Sequence, residues 1–469
     1  MTDWRKLNSK EKQRLLRRIK ADDASLEVVH PNAAGIDVGN ASHYVAIAPR
    51  LDSEPVREFG CFTEDLRRLA RWLVEKGIRT VAMQSTGVYW IPLYDILEEH
   101  GVEVFLVNAK YTKNLPGRKT DVQESQWLLK LHTYGLLSNS FRPPLEIVTM
   151  RTYWRLRAEH VREASTTVQR IQKVLTEMNL QLANVISDIA GLSGMAIIRA
   201  ILAGERNPQK LASLCHARIQ ASPDQVAKSL EGNWRSDLLF VLDQQVRNYD
   251  HFQQQIVLCD QQLQSYLQQL TTADRSNSTN AIAQPSIAKR RAKKFKKSKG
   301  NAPAFDLAAE LERICGVDLT LIDGIDVMTT QTIISEVGLD MSRWKTEAHF
   351  ASWLGLCPDN RISGGVVLSK GTRPVINRAT VALRMAASTL IKCQSYLGAQ
   401  YRRLRTRLGA PKAITAMAHK LARIVYRMLK YRDGYIDKGV DFYEQKFRQQ
   451  QIGALRKKAA KFGLQLVEA

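Results

Sequence analysis

Short apolar runs that alternate with helix-like segments between residues 33 and 108 are the feature that most constrains the fold of this 469-residue chain. The run AAGIDVGNASHYVAIA predicts a buried strand, a Gly-Asn turn and a second strand, and the runs IRTVAMQS and VEVFLVN predict two more strands. The segments TEDLRRLARWLVEKG and WIPLYDILEEHG between these runs have a helical pattern. Strands that alternate with helices indicate an α/β domain with a covered sheet. We place this domain at residues 31–145, after a basic N-terminal extension at 1–30.

After the Arg-Pro-Pro sequence at 142–144 the pattern changes to long helices, which predict a helical, coiled-coil domain at 146–270. Apolar residues there recur at alternating spacings of three and four, the heptad seam of a coiled coil. This spacing leaves open whether the two helices pair within one chain or across a dimer. The two seams are Val168, Ile171, Leu175, Met178, Leu182, Val185 and Ile189, then Tyr249, Phe252, Ile256, Cys259, Leu263, Tyr266 and Leu270.

The chain beyond the long helices reads as a linker, a mainly helical domain and a helical tail, at residues 271–304, 305–435 and 436–469. The linker holds eight basic residues between Lys289 and Lys299, so it is either a charged spacer or an arm that binds phosphates. The helical domain has one glycine-rich interruption at 363–371. Its opening, LTLIDGIDVMTTQTIISEVG, has the form of a helix-hairpin-helix, whose turn at Gly324 would face a phosphate. An ordinary helical packing unit is the alternative for this segment.

The charge distribution predicts a polyanionic partner. The chain has 69 Lys and Arg residues against 46 Asp and Glu, a formal net charge of +23. From Asn360 through Arg432 there are 16 Lys or Arg and no Asp or Glu, whereas a merely solvated surface mixes both signs. We therefore expect this acid-free segment to lie against phosphates.

The cysteines and the hydropathy pattern indicate the compartment. The six cysteines are scattered singly, without the paired spacing of a zinc or redox site. No run of 18 apolar residues occurs. We therefore expect a cytoplasmic protein with reduced thiols and no membrane association.

Three carboxylates and one amide are candidate metal ligands. Asp37 ends the first predicted strand and Gln84 ends a later one, while Asp121 and Glu124 share one face at the start of a helix. Oxygen ligands of this kind suit Mg²⁺, although an amide adds no negative charge. Simpler interpretations remain open, because Asp is common before a turn and Asp121 with Glu124 also fits a helix-capping pattern.

Four stretches resemble one family. The sequences GIDVGNASHYVAI, AMQSTGVYW, NAKYTKNLPGRKTDVQESQWLLKLHTYGLL and LGLCPDNRISGGVVLSKGTRPVINRATVALRMAA are similar, in this order, to the DEDD-type insertion-sequence transposases, recombinases that a bridge RNA guides. The resemblance implies a RuvC-like, RNase H-related N-terminal domain, a coiled-coil segment and a C-terminal transposase domain with a serine nucleophile. The four family acids fall on Asp37, Gln84, Asp121 and Glu124, and the serine falls on Ser363. Two acids depart from the family pattern, since Gln84 has lost the charge and Glu124 has an added methylene.

The resemblance also implies the reaction and the partners. It implies magnesium-dependent, site-specific recombination between double-stranded donor and target DNA, with a structured noncoding guide RNA, by a homo-oligomer (dimer or tetramer) associated with a bacterial nucleoid. Glycines beside the serine would let the backbone approach a phosphate, and nearby basic residues would neutralise it. The candidate nucleic-acid-binding residues are Gly324, Arg361, Gly364, Gly365, Lys370, Arg373, Arg378 and Arg384.

Two other functions fit the same residues. A Holliday-junction resolvase would hydrolyse DNA with water at the acidic cluster and would not need Ser363. A catalytically impaired nucleic-acid-binding protein, which Gln84 suggests, would bind DNA without cutting it. A covalent protein–DNA adduct distinguishes the transposase from both.

Overall fold

The chain folds into two compact units that divide between Arg142 and Pro143. A computed structural model describes residues 27–85, 87–108, 120–271, 301–369, 371–375 and 377–465. The predicted arm between Lys289 and Lys299, and nearly all of the predicted N-terminal extension, lie outside these ranges. In the ranges described, no helix is both long enough and apolar enough to cross a membrane.

The first unit contains a mixed five-stranded sheet with the strand order β3-β2-β1-β4-β5. Strand β1 pairs antiparallel with β2 and parallel with β4, which in turn pairs parallel with β5. The α/β prediction is confirmed, although the sequence pattern did not reveal β3, whose half-exposed VREFG run lacks an apolar signal. The strands are β1 (Ala33–Val38), β2 (Ser42–Ile47), β3 (Val56–Gly60), β4 (Thr80–Gln84) and β5 (Glu103–Val107), and the helices are α1 (Thr63–Glu75), α2 (Trp90–Glu99) and α3 (Asp121–Thr133).

The main core of the first unit lies on one face of this sheet. Helices α1 and α2 bury Leu69, Leu73 and Leu97 against Ile36 and Met83 of the two central strands. Burial of each such side chain contributes about 1.5–3 kcal/mol. The opposite face of the same strands is left for helix α3, which positions the candidate site.

The second unit is largely helical, as predicted. In the described part of this unit, the only sheet is a two-stranded hairpin of β6 (Arg361–Ser363) and β7 (Val366–Ser369). Its α-helices are α4 (Leu145–Glu177), α5 (Leu192–Leu202), α6 (Pro208–Ala212), α7 (Pro223–Ser229), α8 (Ser236–Gln269), α9 (Leu307–Cys315), α10 (Val327–Val337), α11 (Glu347–Trp353), α12 (Arg378–Thr389), α13 (Tyr396–Leu408), α14 (Ala410–Tyr431) and α15 (Gly439–Lys461).

Helices α4 and α8 pack antiparallel against each other within the chain. Tyr266 Oη donates a hydrogen bond of 2.9 Å to the Glu146 carbonyl near one end of the pair, and Arg157 forms a buried ion pair with Asp260 further along. The first predicted seam is wrong beyond Met178, because α4 ends at Glu177 and Asn179 adopts a left-handed φ of 55°. The remaining seam residues, Leu182, Val185 and Ile189, join the core of the short helices instead.

The first helix of the predicted helix-hairpin-helix does not form at residues 319–322. Gly316 ends helix α9 in the left-handed conformation, and the few residues before Gly324 form only the 3₁₀ turn Leu319–Leu321. Helix α10 then begins after Asp326, whose side chain accepts a 2.8 Å hydrogen bond from the Thr329 N–H. Too few residues separate the two glycines for a stable α-helix.

Candidate active site

Asp37 and Gln84 lie side by side at the carboxyl ends of two parallel strands. The register pairs Gly35 with Ala82 and Ile36 with Met83, so the next residues along β1 and β4 are Asp37 and Gln84. Both point to the same sheet face, because side chains alternate along a strand. Asp37 is half-buried and Gln84 is only 6% exposed. The structure therefore brings these two predicted ligands together.

Helix α3 covers this face of the sheet through a close backbone contact at Gly35. A Cβ atom on Gly35 would lie 2.2 Å from the Leu129 nitrogen and 2.3 Å from the Ser125 oxygen. At the other end of the sheet, Thr80 Oγ1 is 2.9 Å from Nε2 of His132. Because His132 ends α3 and Thr80 begins β4, the first turn of α3 lies toward the carboxyl ends of the strands.

The first turn of α3 therefore carries Asp121 and Glu124 to the edge that holds Asp37. Thr120 caps the helix by accepting a hydrogen bond of 3.3 Å from the Gln123 N–H. Asp121 is exposed and Glu124 is half-buried. The pKa of Tyr44, which pairs with Asp37 across β1 and β2, is raised by its hydrogen bond with Glu58, by burial and by the negative charges of Glu58 and Asp121. Helix α3 also packs against β2.

The donor atoms at this edge suit a hard cation, although their number is small. Carboxylate and amide oxygens are ligands that Mg²⁺ prefers, and Mg²⁺ commonly takes one or two carboxylates together with substrate phosphates. Among the described residues, no three His, Cys, Asp or Glu side chains form a group that could hold a metal ion. Asp37, Gln84, Asp121 and Glu124 therefore offer oxygens at this edge without forming a complete metal site among the described residues, and a phosphate would have to supply further ligands.

His132 makes the stability of this unit depend on pH. Burial first, and the neighbouring His30 second, lower the pKa of His132 from 6.5 to about 4. The fold thus favours the neutral ring, and protonation favours the unfolded state. We expect the contribution of His132 to the stability of the first unit to be complete above about pH 6.5 and to be lost progressively from about pH 6.5 to about pH 4.

Hydrogen exchange of the β4 and α3 peptides between pH 7 and pH 4, corrected for intrinsic exchange rates, measures this dependence. His132→Gln keeps a polar side chain that does not titrate in this range. It should therefore flatten the pH dependence. An equal loss of protection in both proteins would contradict the assignment to His132.

Ser363 lies at the tip of the β6–β7 hairpin. The turn residues Gly364 and Gly365 have φ values of 56° and 79°, the positive pair typical of a type I′ turn, which L side chains rarely adopt. This geometry favours glycine at both positions. Ser363 is exposed, and so are its neighbours Ile362 and Val366. The hairpin presents the hydroxyl to solvent, where a large substrate can reach it.

The predicted basic residues near Ser363 have different surroundings. Arg373 Nη2 donates a hydrogen bond of 2.7 Å to the Ser352 carbonyl. Arg378 is exposed in the first turn of α12, and Nε of Arg384 is buried without a hydrogen-bond partner among the described residues. Only the backbone of Arg361 is described, and Lys370 lies outside the described residues.

Close packing at Gly324 leaves no room for a side chain. Its φ is 84°, and a Cβ atom there would lie 2.6 Å from the Ala386 carbonyl oxygen at the end of α12. This contact accounts for the residue without a phosphate. The predicted nucleic-acid contact at Gly324 stays a prediction.

A basic and aromatic pocket in the second unit was missed by the sequence analysis. Lys420, Ile424 and Arg427 lie along one face of α14, and Phe442 and Lys446 are a turn apart on α15. The spacings of three and four residues were a detectable signal. The sequence did not reveal that the two helices face each other.

Two family models match the chain. Residues 34–180 match a DEDD-type model described as Transposase, and residues 317–402 match a model described as Transposase IS116/IS110/IS902 family. The first segment contains the four sheet-edge residues and the second contains Ser363. A search of curated proteins gave no significant match.

Proposed function

The chain belongs to the IS110 family of transposases, and from this premise we propose that it cuts and joins DNA with Ser363 as the nucleophile. The observation that carries the proposal is the exposed serine on the tip of a hairpin within a segment that has no acidic residue from Asn360 to Arg432. A hydroxyl that attacks a DNA phosphate must be accessible, and a surrounding segment without carboxylates does not repel the phosphate.

The proposed chemistry is two successive transfers of one phosphoryl group. Ser363 Oγ bonds to the scissile phosphorus, the bond from phosphorus to one deoxyribose oxygen breaks, and that oxygen leaves with a proton as a free DNA hydroxyl. A hydroxyl of the partner strand then attacks the phosphoserine, the bond from phosphorus to Ser363 Oγ breaks, and Oγ leaves with a proton as the free serine hydroxyl. Each transfer exchanges one phosphodiester for another, so strands can be exchanged through a Holliday junction without an external energy source.

The sheet edge of the first unit is proposed as the metal site for this reaction. Asp37, Gln84, Asp121 and Glu124 would hold a divalent cation, which when bound stabilises negative charge on the reacting phosphate. We propose Mg²⁺ as the ion, since all four side chains offer oxygen.

The acid-free segment supports a role in holding nucleic-acid backbone. Lys and Arg bind phosphates without regard to sequence, which fits the proposal that a structured guide RNA chooses the donor and target DNA by base pairing. Arg378 and Arg384 are the described basic residues on α12 that we propose contact phosphates. We also propose that the protein acts as a dimer or tetramer near the bacterial nucleoid.

A covalent adduct tests the proposed function. The full chain is incubated with Mg²⁺, guide RNA and a donor DNA that has a nick just beyond the scissile phosphate, so that the leaving fragment diffuses away. We expect a protein–DNA adduct that survives denaturation and maps to Ser363 by mass spectrometry. DNA cleavage without an adduct would favour the resolvase, and binding without cleavage would favour the impaired binding protein. Either result would overturn the proposal.

Gln84 gives a prediction about metal affinity. Gln84→Glu restores a carboxylate beside Asp37, and a further anionic ligand is expected to lower the Mg²⁺ concentration for half-maximal adduct formation about tenfold. A magnesium titration measures this shift. Gln123→Glu, which adds the same charge at an exposed position on α3, is the matched control and should shift the midpoint less than about twofold. Equal shifts would mean that only overall charge matters.

A further inference from the structure

A pocket of about 460 Å³ lies in the second unit, at the C-terminal end of the described chain. Four segments line it: the start of α13, one face of α14, the loop that follows α14, and the first turns of α15. Its volume is within the range of small-ligand sites. Most of it lies beyond residue 402, where the second family match ends.

The lining combines cations with aromatic rings. Lys420, Arg427, Lys438 and Lys446 line the pocket, and no carboxylate does so among the described residues. Within the described ranges, none of these four side chains forms an ion pair with a carboxylate. The lining therefore carries an excess of positive charge, although the carboxylate of Asp437 lies close by, where it accepts a hydrogen bond of 3.1 Å from the Tyr396 N–H.

Burial and neighbouring cations both disfavour the charged form of Lys420. Burial first, then the positive charges of Arg423, Lys446 and Arg427, lower the pKa of Lys420, against the opposing effect of Glu347. Neighbouring like charges disfavour one another, and an anion placed among them offsets the effect. A bound phosphate would relieve this repulsion.

The aromatic side chains offer ring faces and a hydrogen-bond donor. Tyr396 and Phe442 have ring centres 6.3 Å apart, and Phe442 is 42% exposed. Burial and the neighbouring carboxylates of Asp437 and Asp323 raise the pKa of Tyr435, whose hydroxyl is protonated at neutral pH and can donate. Exposed rings next to cations are the combination that binds unstacked bases.

We propose that this pocket binds one unstacked nucleotide of a single-stranded nucleic acid, with its phosphate among the basic side chains and its base against the aromatic rings. A base inside a duplex has both faces stacked, so only an unpaired base can enter a concave pocket. An acidic peptide would neutralise the basic side chains, but its carboxylates would not stack on the aromatic rings. The strand is favoured over a free nucleotide because the acid-free segment, which extends to Arg432, supplies further phosphate contacts along a chain.

The proposal is tested by measuring how the full chain binds a single-stranded oligonucleotide in EDTA, where no metal-dependent catalysis occurs. A negative result would therefore count against the pocket and not against the proposed chemistry of Ser363. Anisotropy of a short fluorescein-labelled oligothymidylate measures the dissociation constant. We expect Lys446→Ala and Phe442→Leu each to weaken binding about tenfold, by loss of a phosphate contact and of a stacking contact. Lys458→Ala removes the same charge from an exposed position on α15 outside the pocket and should change binding less than about twofold.

Photocrosslinking locates the contact directly. A strand with a single 5-iodouracil is expected to cross-link to Tyr396, Tyr435 or Phe442, and the same oligothymidylate without the label should compete. Cross-links only at other positions, or equal losses for Lys446→Ala and Lys458→Ala, would overturn the proposal. Competition by polyglutamate as strong as that by oligothymidylate would also overturn the proposal, because it would indicate that the pocket binds an acidic peptide. The pocket would instead be assigned to a free nucleotide if adenosine monophosphate bound it saturably and if the variants bound oligothymidylate as tightly as the unchanged protein.

Discussion

Replacing Ser363 by alanine is expected to abolish adduct formation and to lower strand exchange by at least ~10³-fold. Loss of a catalytic nucleophile has effects of this order because neither positioning nor metal binding replaces the missing covalent bond. Ser363 is exposed at the hairpin tip, so the hydroxyl contributes little to folding. The change should therefore act on chemistry alone, with DNA binding and the free energy of unfolding almost unchanged.

Strand exchange between labelled donor and target DNA, with Mg²⁺ and guide RNA, measures this effect. Ser369→Ala is the matched control, since it removes a second serine from the same hairpin, and it should retain most of the activity. Strand exchange by Ser363→Ala at a rate near that of the unchanged protein would exclude Ser363 as the nucleophile. Loss of activity in both variants would instead indicate that the hairpin as a whole is required.

Replacing Gly35 by alanine is expected to destabilise the first unit by about 3 kcal/mol. A Cβ atom there would lie 2.2 Å from a backbone nitrogen and 2.3 Å from a backbone oxygen of α3, and backbone atoms cannot rotate away as a side chain can. Helix α3 must then move off the sheet. Because α3 carries Asp121 and Glu124, strand exchange should fall together with stability.

Hydrogen exchange of the β1 and α3 peptides, in the full chain, measures this loss of stability for the first unit separately. Gly453→Ala is the control, because a Cβ atom at Gly453, on α15, meets nothing within 4 Å. It should be neutral or slightly stabilising. Unchanged protection in Gly35→Ala would show that α3 does not depend on this close contact.

Much of the first unit was predictable from local pattern. The apolar runs at β1, β2, β4 and β5 gave a period-two or fully buried signal, whereas β3 is short, polar and half-exposed. The candidate ligand Asp37 was predictable because it follows an apolar strand directly. Its neighbour Gln84 could be proposed as a ligand only because it ends a predicted strand, since an uncharged amide does not by itself indicate a metal site.

The hairpin at Ser363 shows where local pattern was insufficient. The residues around Ser363 read as a glycine-rich interruption between helices, without a predicted strand. The two positive φ values at Gly364 and Gly365 are those of a type I′ turn. Two consecutive glycines allow this turn, but they allow other conformations as well. Pairing of Ser363 with Val366 selects it.

The amino-acid sequence by itself determined the class of each unit, the acid-free basic segment and the family to which the chain is similar, because periodicity, charge and motif order are local properties. Only the tertiary structure decided that α3 runs antiparallel to the central strands. Its first turn, with Asp121 and Glu124, therefore lies toward the strand ends that carry Asp37 and Gln84. The tertiary structure also decided that α14 and α15 enclose a basic, aromatic pocket. Both results depend on which surfaces pack together, a long-range choice that close contacts such as that at Gly35 fix.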